Sequence, residues 1–435
     1  MACNRIGLVG DYPRETLIPP LSPLRKPPRM KIVDVAESYS KQGGGVRTYI
    51  HHKFIAARAA GVECVVVAPG TQDGEEEIEG GRIVWVKTPR SPFDSRYGLF
   101  NDEQKVHEVL AHEDADVIEG SSPWNGGKYV ASYRGRAKKS FVFHTDPVAV
   151  WAQTFFGRHL GFDRVDRMCA PMWKKIRTLS DAYDTTVVSG GWLARRLRQF
   201  GIERTSVVDF GIDKQRFSPG HRDERLRREL LAKCCVPEHG KLIIAISRLD
   251  PEKRVATFID GFAKASRHRP MGLVIFGRGA LEKYYARKAN KTPGVHLHGY
   301  VSERDFVSRA LASSDAFLHG SAAETYGLVV AEAVCSGVPV IVPDRGGAAA
   351  LAGPDYSASY RSGDRADCSE AILRLLARDH SQLARGCEAA TQDIGTMDGH
   401  FYRLFELYGR MSGRTDFAAP DSREVARVRP LRAAS

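Results

Sequence analysis

The chain has 435 residues, 43% hydrophobic and 27% charged, which suits a soluble protein of two or three domains and sets disorder aside. No run of 18 apolar residues occurs, so no transmembrane helix is expected, and residues 1–29 lack the apolar core of a secretory signal. The formal charge of +12 asks for an anionic partner, while eight cysteines without a C-x-x-C pair speak against zinc and for reduced thiols in a cytosolic setting.

Residues 1–29 are rich in proline and read as a flexible leader. Met30-Lys31-Ile32-Val33-Asp34-Val35 reads as a fresh start into a first strand, with Met30 an alternative start residue. A first block of alternating strands and helices spans 30–217. Its strands are expected at Ile32–Val35, Cys64–Ala68, Ile83–Val86, Val117–Glu119, Phe141–His144, Thr186–Val188 and Val207–Phe210. Gly43-Gly44-Gly45-Val46 follows the first strand and opens a helix through Tyr49 and Phe54. Glycines there let phosphate or sugar approach the backbone closely.

Asp114-Ala115-Asp116 has a D-x-D form but enters the sheet instead of leaving it, the wrong edge for a ligand. Gly127-Lys128 lacks the first glycine of a P-loop, position 122 being Ser. Glu119-Gly120-Ser121-Ser122-Pro123-Trp124 leaves a strand and is expected to line one side of the cleft, the acceptor side in the family resemblance given below. His144 also ends a strand, facing the cleft. Trp173-Lys174-Lys175-Ile176-Arg177 and the stretch from Trp192 to Arg198 are basic helical patterns with aromatic and aliphatic partners. Such faces can lie on an anionic bilayer. No RNP pattern, zinc finger or basic zipper occurs, so nucleic acid is not the expected partner.

The linker is expected near Gly211–His221, and a second alternating block covers 218–396. Its strands are expected near Leu242–Ser247, Leu273–Phe276, His296–Leu297, Ala316–Leu318 and Val340–Val342. Ile246-Ser247-Arg248-Leu249-Asp250-Pro251-Glu252-Lys253 leaves the first of these. A guanidinium and an ammonium on a strand-exit loop can clamp a diphosphate. Phe276-Gly277-Arg278-Gly279 is a tight strand exit but no dinucleotide fingerprint, because position 282 is Glu. Gly327 and Leu328 open an apolar helix whose free N–H groups can hold an anion. Glu324 lies just before it and Glu332 one turn inside, so an anion at the helix start has a carboxylate on either side. Gly337 and Pro339 end that helix, and Asp344-Arg345-Gly346-Gly347 reads as a loop. A last helix is expected at 397–411 and a disordered tail at 412–435. Strands alternating with helices in two blocks indicate two parallel, doubly wound α/β domains with a ligand cleft between their strand ends.

From Met30 to about Gly409 these pieces, in this order, resemble the retaining glycosyltransferases of family GT4. The resemblance rests on the E-x7-E of Glu324 and Glu332, the S-R-L-x-x-x-K of Ser247 to Lys253, the G-G-V loop and the strand-end His144. It implies a GT-B fold, two Rossmann-like domains facing a central cleft, with a terminal helix crossing back to the first. It implies an enzyme that moves a sugar from a nucleotide-diphosphate sugar to an acceptor hydroxyl, with a UDP-sugar favoured over a GDP-sugar. Arg248 and Lys253 would hold the diphosphate, with Gly44, Gly45, Gly327 and Leu328 beside it. Gly277 and Tyr300 would flank the base, Glu332 the ribose, and Glu324 and His144 the transferred sugar. Tyr326 stands where Phe is frequent in the family. No metal or other cofactor and no protein nucleophile is implied. The basic faces favour a membrane-lipid or lipid-linked acceptor, hence a cytoplasmic enzyme, peripheral on the inner membrane face. A soluble acceptor and a non-catalytic sugar-nucleotide binder are the alternatives. A redox enzyme is disfavoured by the missing glycine fingerprint.

Overall fold

The computed structural model describes residues 29–41, 45–89 and 98–414. Residues 1–28 of the expected leader, the tail from 415 on, and Gly43 and Gly44 of the glycine loop lie outside the described residues.

The first sheet has eight strands: β1 (Lys31–Val35), β2 (Glu63–Gly70), β3 (Gly74–Ile78), β4 (Gly81–Lys87), β5 (Val117–Gly120), β6 (Lys138–Phe143), β7 (Thr185–Val188) and β8 (Thr205–Val207). Their order is β3-β4-β2-β1-β5-β6-β7-β8, and only β3 runs antiparallel to its neighbour. Helices cover both faces, so central strands are continuous apolar runs, as in Cys64 to Ala68. β3 is absent from the sequence reading because its residues are Gly-Glu-Glu-Glu-Ile. It is an edge strand, and its carboxylates guard the edge against further pairing. The strand expected at Val207–Phe210 ends early. Phe210 turns away and β9 (Gly211–Ile212) leads out of the sheet.

The second sheet is wholly parallel: β10 (Lys241–Ile246), β11 (Met271–Phe276), β12 (Val295–Gly299), β13 (Ala316–Leu318), β14 (Val340–Pro343) and β15 (Ser357–Tyr360). Its order is β12-β11-β10-β13-β14-β15. Phe210, Ile212 and Phe217 already pack in the core of this domain, ahead of the expected start at 218. β9 pairs with β16 (Gly395–Thr396), which closes the second domain beside the crossing point.

Helix Met397–Ser412 then returns to the first domain. Phe401, Leu404, Phe405 and Tyr408 are fully buried against residues of β1, β2 and helix Gly45–Ala60. Gly413 ends it in the left-handed conformation that a glycine adopts freely. Arg414 reaches Asp116 at 3.2 Å, so the chain is anchored past the expected tail start at 412.

His400 on this helix joins the parts at the junction. Its ring lies 2.9 Å from the Asp209 carbonyl through Nδ1, which must donate, so Nε2 accepts from the Tyr49 hydroxyl at 3.0 Å. Burial pushes the imidazole down to about 3, against the pull of the Asp209 carbonyl. A folded-state value below the unfolded one favours the neutral ring. Its contribution is therefore complete above about pH 6.5 and fades as pH falls below that. Between pH 7 and pH 5 the wild type should lose roughly 1–2 kcal/mol relative to His400→Gln in urea unfolding. A constant gap would contradict a neutral, buried His400.

Two expectations for the first domain change. Glu119 does not line the acceptor side. It is buried and ion-paired with Lys53, which also lies 3.2 Å from Asp34 and is itself 0% exposed. An ammonium buried between two carboxylates remains charged, so this triad holds β1 to β5 from beneath. The apolar sides of the two basic helices are also not free. Trp173 and Ile176 of Ala170–Asp181, and Leu193 and Leu197 of Gly191–Arg198, are core residues. Arg196 is turned inward, held bidentately by Asp166 at 2.9 and 3.0 Å and by Asp146 at 2.5 Å.

Candidate active site in the interdomain cleft

The order of the second sheet reverses between β10 and β13, the point where open α/β sheets bind ligands beyond their strand ends. The Ser247–Lys253 loop leaves β10 on one side. His319, following β13, begins the loop to Glu324 on the other. Fold topology therefore brings together residues 71 positions apart. Lys253 Nζ lies 2.5 Å from Glu324 Oε1. Burial alone would raise the Glu324 carboxyl, but the Lys253 ammonium and His319 outweigh it and hold it well below the usual range. These contacts favour the anionic form of Glu324.

His319 was missed in the sequence. Its Nε2 is 3.5 Å from Glu324 Oε1, and it is a buried atom with no hydrogen-bond partner among the described residues. The signal was available: like His144, it directly follows a parallel strand. The Glu324 loop is seated from behind by Gly347, whose N–H donates to the Glu324 carbonyl at 2.6 Å. Gly346 has φ +90°, and a Cβ there would meet the Ala322 carbonyl oxygen at 2.6 Å. The stretch expected as a loop is thus partly a short helix, Gly347–Ala350, and its paired glycines permit this contact.

Arg248 is placed differently from Lys253. Its side chain is 65% exposed and bridges Asp250 at 2.9 Å and Glu252 at 2.7 Å. Gly327, at φ +100°, opens helix Leu328–Cys335, and Leu328 is partly exposed at its first position. Glu332 is buried, 2.5 Å from Arg304, whose guanidinium also lies over Phe217. Burial raises the Glu332 carboxyl against the pull of Arg304. Arg304, the first residue of helix Arg304–Ala312, is a second residue missed in the sequence.

Gly277 and Gly279 serve close packing. A Cβ at Gly277, φ +143°, would sit 1.9 Å from the Ser247 carbonyl oxygen, and one at Gly279 would sit 2.6 Å from the Leu249 nitrogen. They let the β11 exit pass directly over the Arg248 loop. Tyr300 is 58% exposed, with the Arg278 guanidinium 4.3 Å from its ring centre. Tyr326 is a core residue: its ring meets Phe210 edge-on at 5.6 Å, and burial raises its hydroxyl to about 12.

Across the cleft, Gly45 starts helix Gly45–Ala60 with open space around it. His144 sits beyond β6, between Tyr49 at 5.2 Å and Phe210 at 5.9 Å. Burial pushes its imidazole down to about 4, so it is neutral at pH 7. Its carbonyl accepts from the Thr325 hydroxyl at 2.9 Å, which sets His144 beside Glu324's own loop. Arg254, next to Lys253, donates to the carbonyls of Gln153 at 3.1 Å and Thr154 at 3.4 Å. The two walls are thus hydrogen-bonded to each other at the site. Among the described residues, no three His, Cys, Asp or Glu side chains gather to hold a metal ion.

Residues 43–216 match the family described as Glycosyltransferase Family 4, and residues 227–392 match Glycosyl transferases group 1. A GDP-mannose-dependent alpha-mannosyltransferase of Corynebacterium glutamicum is 30% identical over 73% of each chain. A GDP-mannose-dependent alpha-(1-6)-phosphatidylinositol dimannoside mannosyltransferase of Mycobacterium tuberculosis is 27% identical over 72% of this chain and 79% of its own. Among solved structures, sucrose-phosphate synthase of Thermosynechococcus elongatus superimposes with a TM-score of 0.69 at 16% identity, covering 88% of this chain and 100% of that one. The chain belongs to glycosyltransferase family 4, and it is a glycosyltransferase of GT-B architecture.

Proposed function

We propose that the enzyme transfers mannose from GDP-mannose, with retention, to a hydroxyl of a membrane lipid or lipid-linked glycan. The sequence alone favours a UDP-sugar; the names of the relatives move the reading to GDP-mannose. The observation that carries it is the Lys253–Glu324 contact at the strand-order reversal, with His144 tied to the same loop through Thr325.

In this reading the diphosphate enters at the tip of helix Leu328–Cys335, where Gly327 and Leu328 offer N–H groups. Lys253 and Arg248 turn to it and neutralise the charge that builds as the sugar leaves. Lys253 is then shared or released, and the Glu324 carboxylate accepts from hydroxyls of the sugar. Glu332 accepts from the ribose, and Tyr300 faces the base. A neutral His144 hydrogen-bonds near the anomeric carbon without repelling its developing positive charge. The acceptor attacks from the face the leaving group departs, and a phosphate oxygen takes its proton. No helix among the described residues is long and apolar enough to cross a membrane. In this reading the enzyme meets its lipid acceptor by peripheral attachment at the cytoplasmic face.

The test is a donor panel of GDP-mannose, UDP-glucose and UDP-galactose, with and without lipid extract, and anomeric NMR of the product. GDP-mannose consumption that rises with lipid is expected. Faster turnover of a UDP-sugar, or indifference to lipid, would contradict the proposal. Glu332→Ala should raise the KM for donor by about 10-fold with kcat little changed, as for loss of a contact made equally in ground and transition states. A drop in kcat alone would remove Glu332 from ribose binding.

A further inference from the structure

We infer that residues 148–168 of the first domain form the surface by which the enzyme docks on an anionic lipid bilayer, with the cleft mouth facing the lipid. The inference rests on the lipid-acceptor reading above and adds the surface that serves it.

Trp151, Phe155, Phe156, Leu160 and Met168 are 63%, 54%, 56%, 39% and 64% exposed. They come from one stretch: a π-helical turn, Val148–Ala152, continuing into helix Gln153–Leu160, and then helix Phe162–Met168. Trp151 and Phe155 are four residues apart, as are Phe156 and Leu160, so each pair lies along one line of the helix and the two lines flank each other. Gln153 and Gly157, on the side away from Trp151 and Phe155, are buried. A Cβ at Gly157 would meet the Phe162 ring at 2.8 Å, so the two helices pack tightly and present the apolar residues together. Isolated exposed apolar residues need no explanation; a contiguous group of large ones does.

The charges around this group select the occupant. Arg158, Arg164 and Arg167 are exposed, and Lys174 and Lys175 follow on the next helix. Asp163 is the exposed acid within the stretch, since Asp166 is buried under Arg196. Trp, Phe and Leu flanked by arginines suit the boundary between headgroups and acyl chains. A second copy of the chain is the poorer fit, because a two-fold interface would set these arginines against one another.

The location supplies the functional link. The Gln153 and Thr154 carbonyls at the base of this helix accept from Arg254, the neighbour of Lys253. The group therefore lies at the lip of the cleft. Docked there, the enzyme would receive a headgroup hydroxyl without extracting the lipid from its bilayer.

The experiment is co-sedimentation with vesicles of phosphatidylcholine, alone or mixed with phosphatidylglycerol, at low salt. The wild type should bind the anionic vesicles selectively. The Trp151→Ser/Phe155→Ser/Phe156→Ser and Arg164→Glu/Arg167→Glu variants should each lose about 10-fold or more of that binding. Both should retain donor hydrolysis within about twofold, which reports an intact cleft. Absence of wild-type binding, equal binding by the variants, or a wild-type dimer that the first variant makes monomeric would overturn the inference. Vesicle binding without transfer to lipid would defeat the lipid-acceptor reading and leave the docking surface standing. Transfer to detergent-dispersed lipid without vesicle binding would do the reverse.

Discussion

Glu324→Gln should lower kcat by about 10²- to 10³-fold while donor affinity changes less than about tenfold. The carboxylate is anionic, held by Lys253 at 2.5 Å, and seated by the Gly347 amide, so its position is fixed before the donor arrives. A hydrogen bond to an ionised acceptor is roughly twice as strong as one to a neutral amide. The difference grows as the sugar becomes cationic, which is why the loss falls on kcat. Glutamine preserves the shape of the side chain, so packing is not the cause of the loss. Steady-state kinetics with labelled donor, alongside donor titration in binding equilibrium, separate the two. A variant as fast as the wild type would remove Glu324 from the chemistry.

Lys253→Ala and Arg248→Ala should part company. Both should reduce kcat/KM by about 10²-fold or more, since in the proposed binding mode each removes a cation facing the diphosphate. Only Lys253→Ala should also reduce stability, by about 2–4 kcal/mol. Its side chain and that of Glu324 are 14% and 20% exposed, and its removal strands a largely buried carboxylate beside His319. Partial contact with solvent keeps the cost below that of a fully buried pair. Arg248, 65% exposed on a surface bridge, should cost less than about 1 kcal/mol. Urea unfolding checks the stabilities, and donor kinetics check the rates. Equal destabilisation of the two variants, or full activity in either, would contradict the arrangement.

The features legible in the sequence were those written locally. Continuous apolar runs such as Cys64 to Ala68 and Leu242 to Ile246 marked buried parallel strands. Gly327 and Gly337 bounded the helix carrying Glu332, and both have positive φ. Pairings across the fold were not legible. Nothing near Lys53 announces Glu119, 66 residues away, and nothing near Glu324 announces that Lys253 is its counter-ion. β3 was hidden because an edge strand needs pairing partners and charge, not apolar residues. Tyr326, expected among the donor-binding residues between Glu324 and Gly327, packs its ring edge-on against Phe210, a pairing far apart in the chain that local sequence does not display. The basic helix from Trp173 read as a membrane face for a similar reason. Amphipathicity shows that one side is apolar, and only packing decides whether that side meets protein or lipid.

The most direct test is a crystal structure with GDP or GDP-mannose bound. The account predicts diphosphate oxygens about 3 Å from Lys253 Nζ and from the Arg248 guanidinium, with the ribose on Glu332 and the Lys253–Glu324 contact lengthened or shared. A nucleotide bound away from the β10 and β13 strand ends, with Lys253 and Glu324 still paired only to each other, would contradict it.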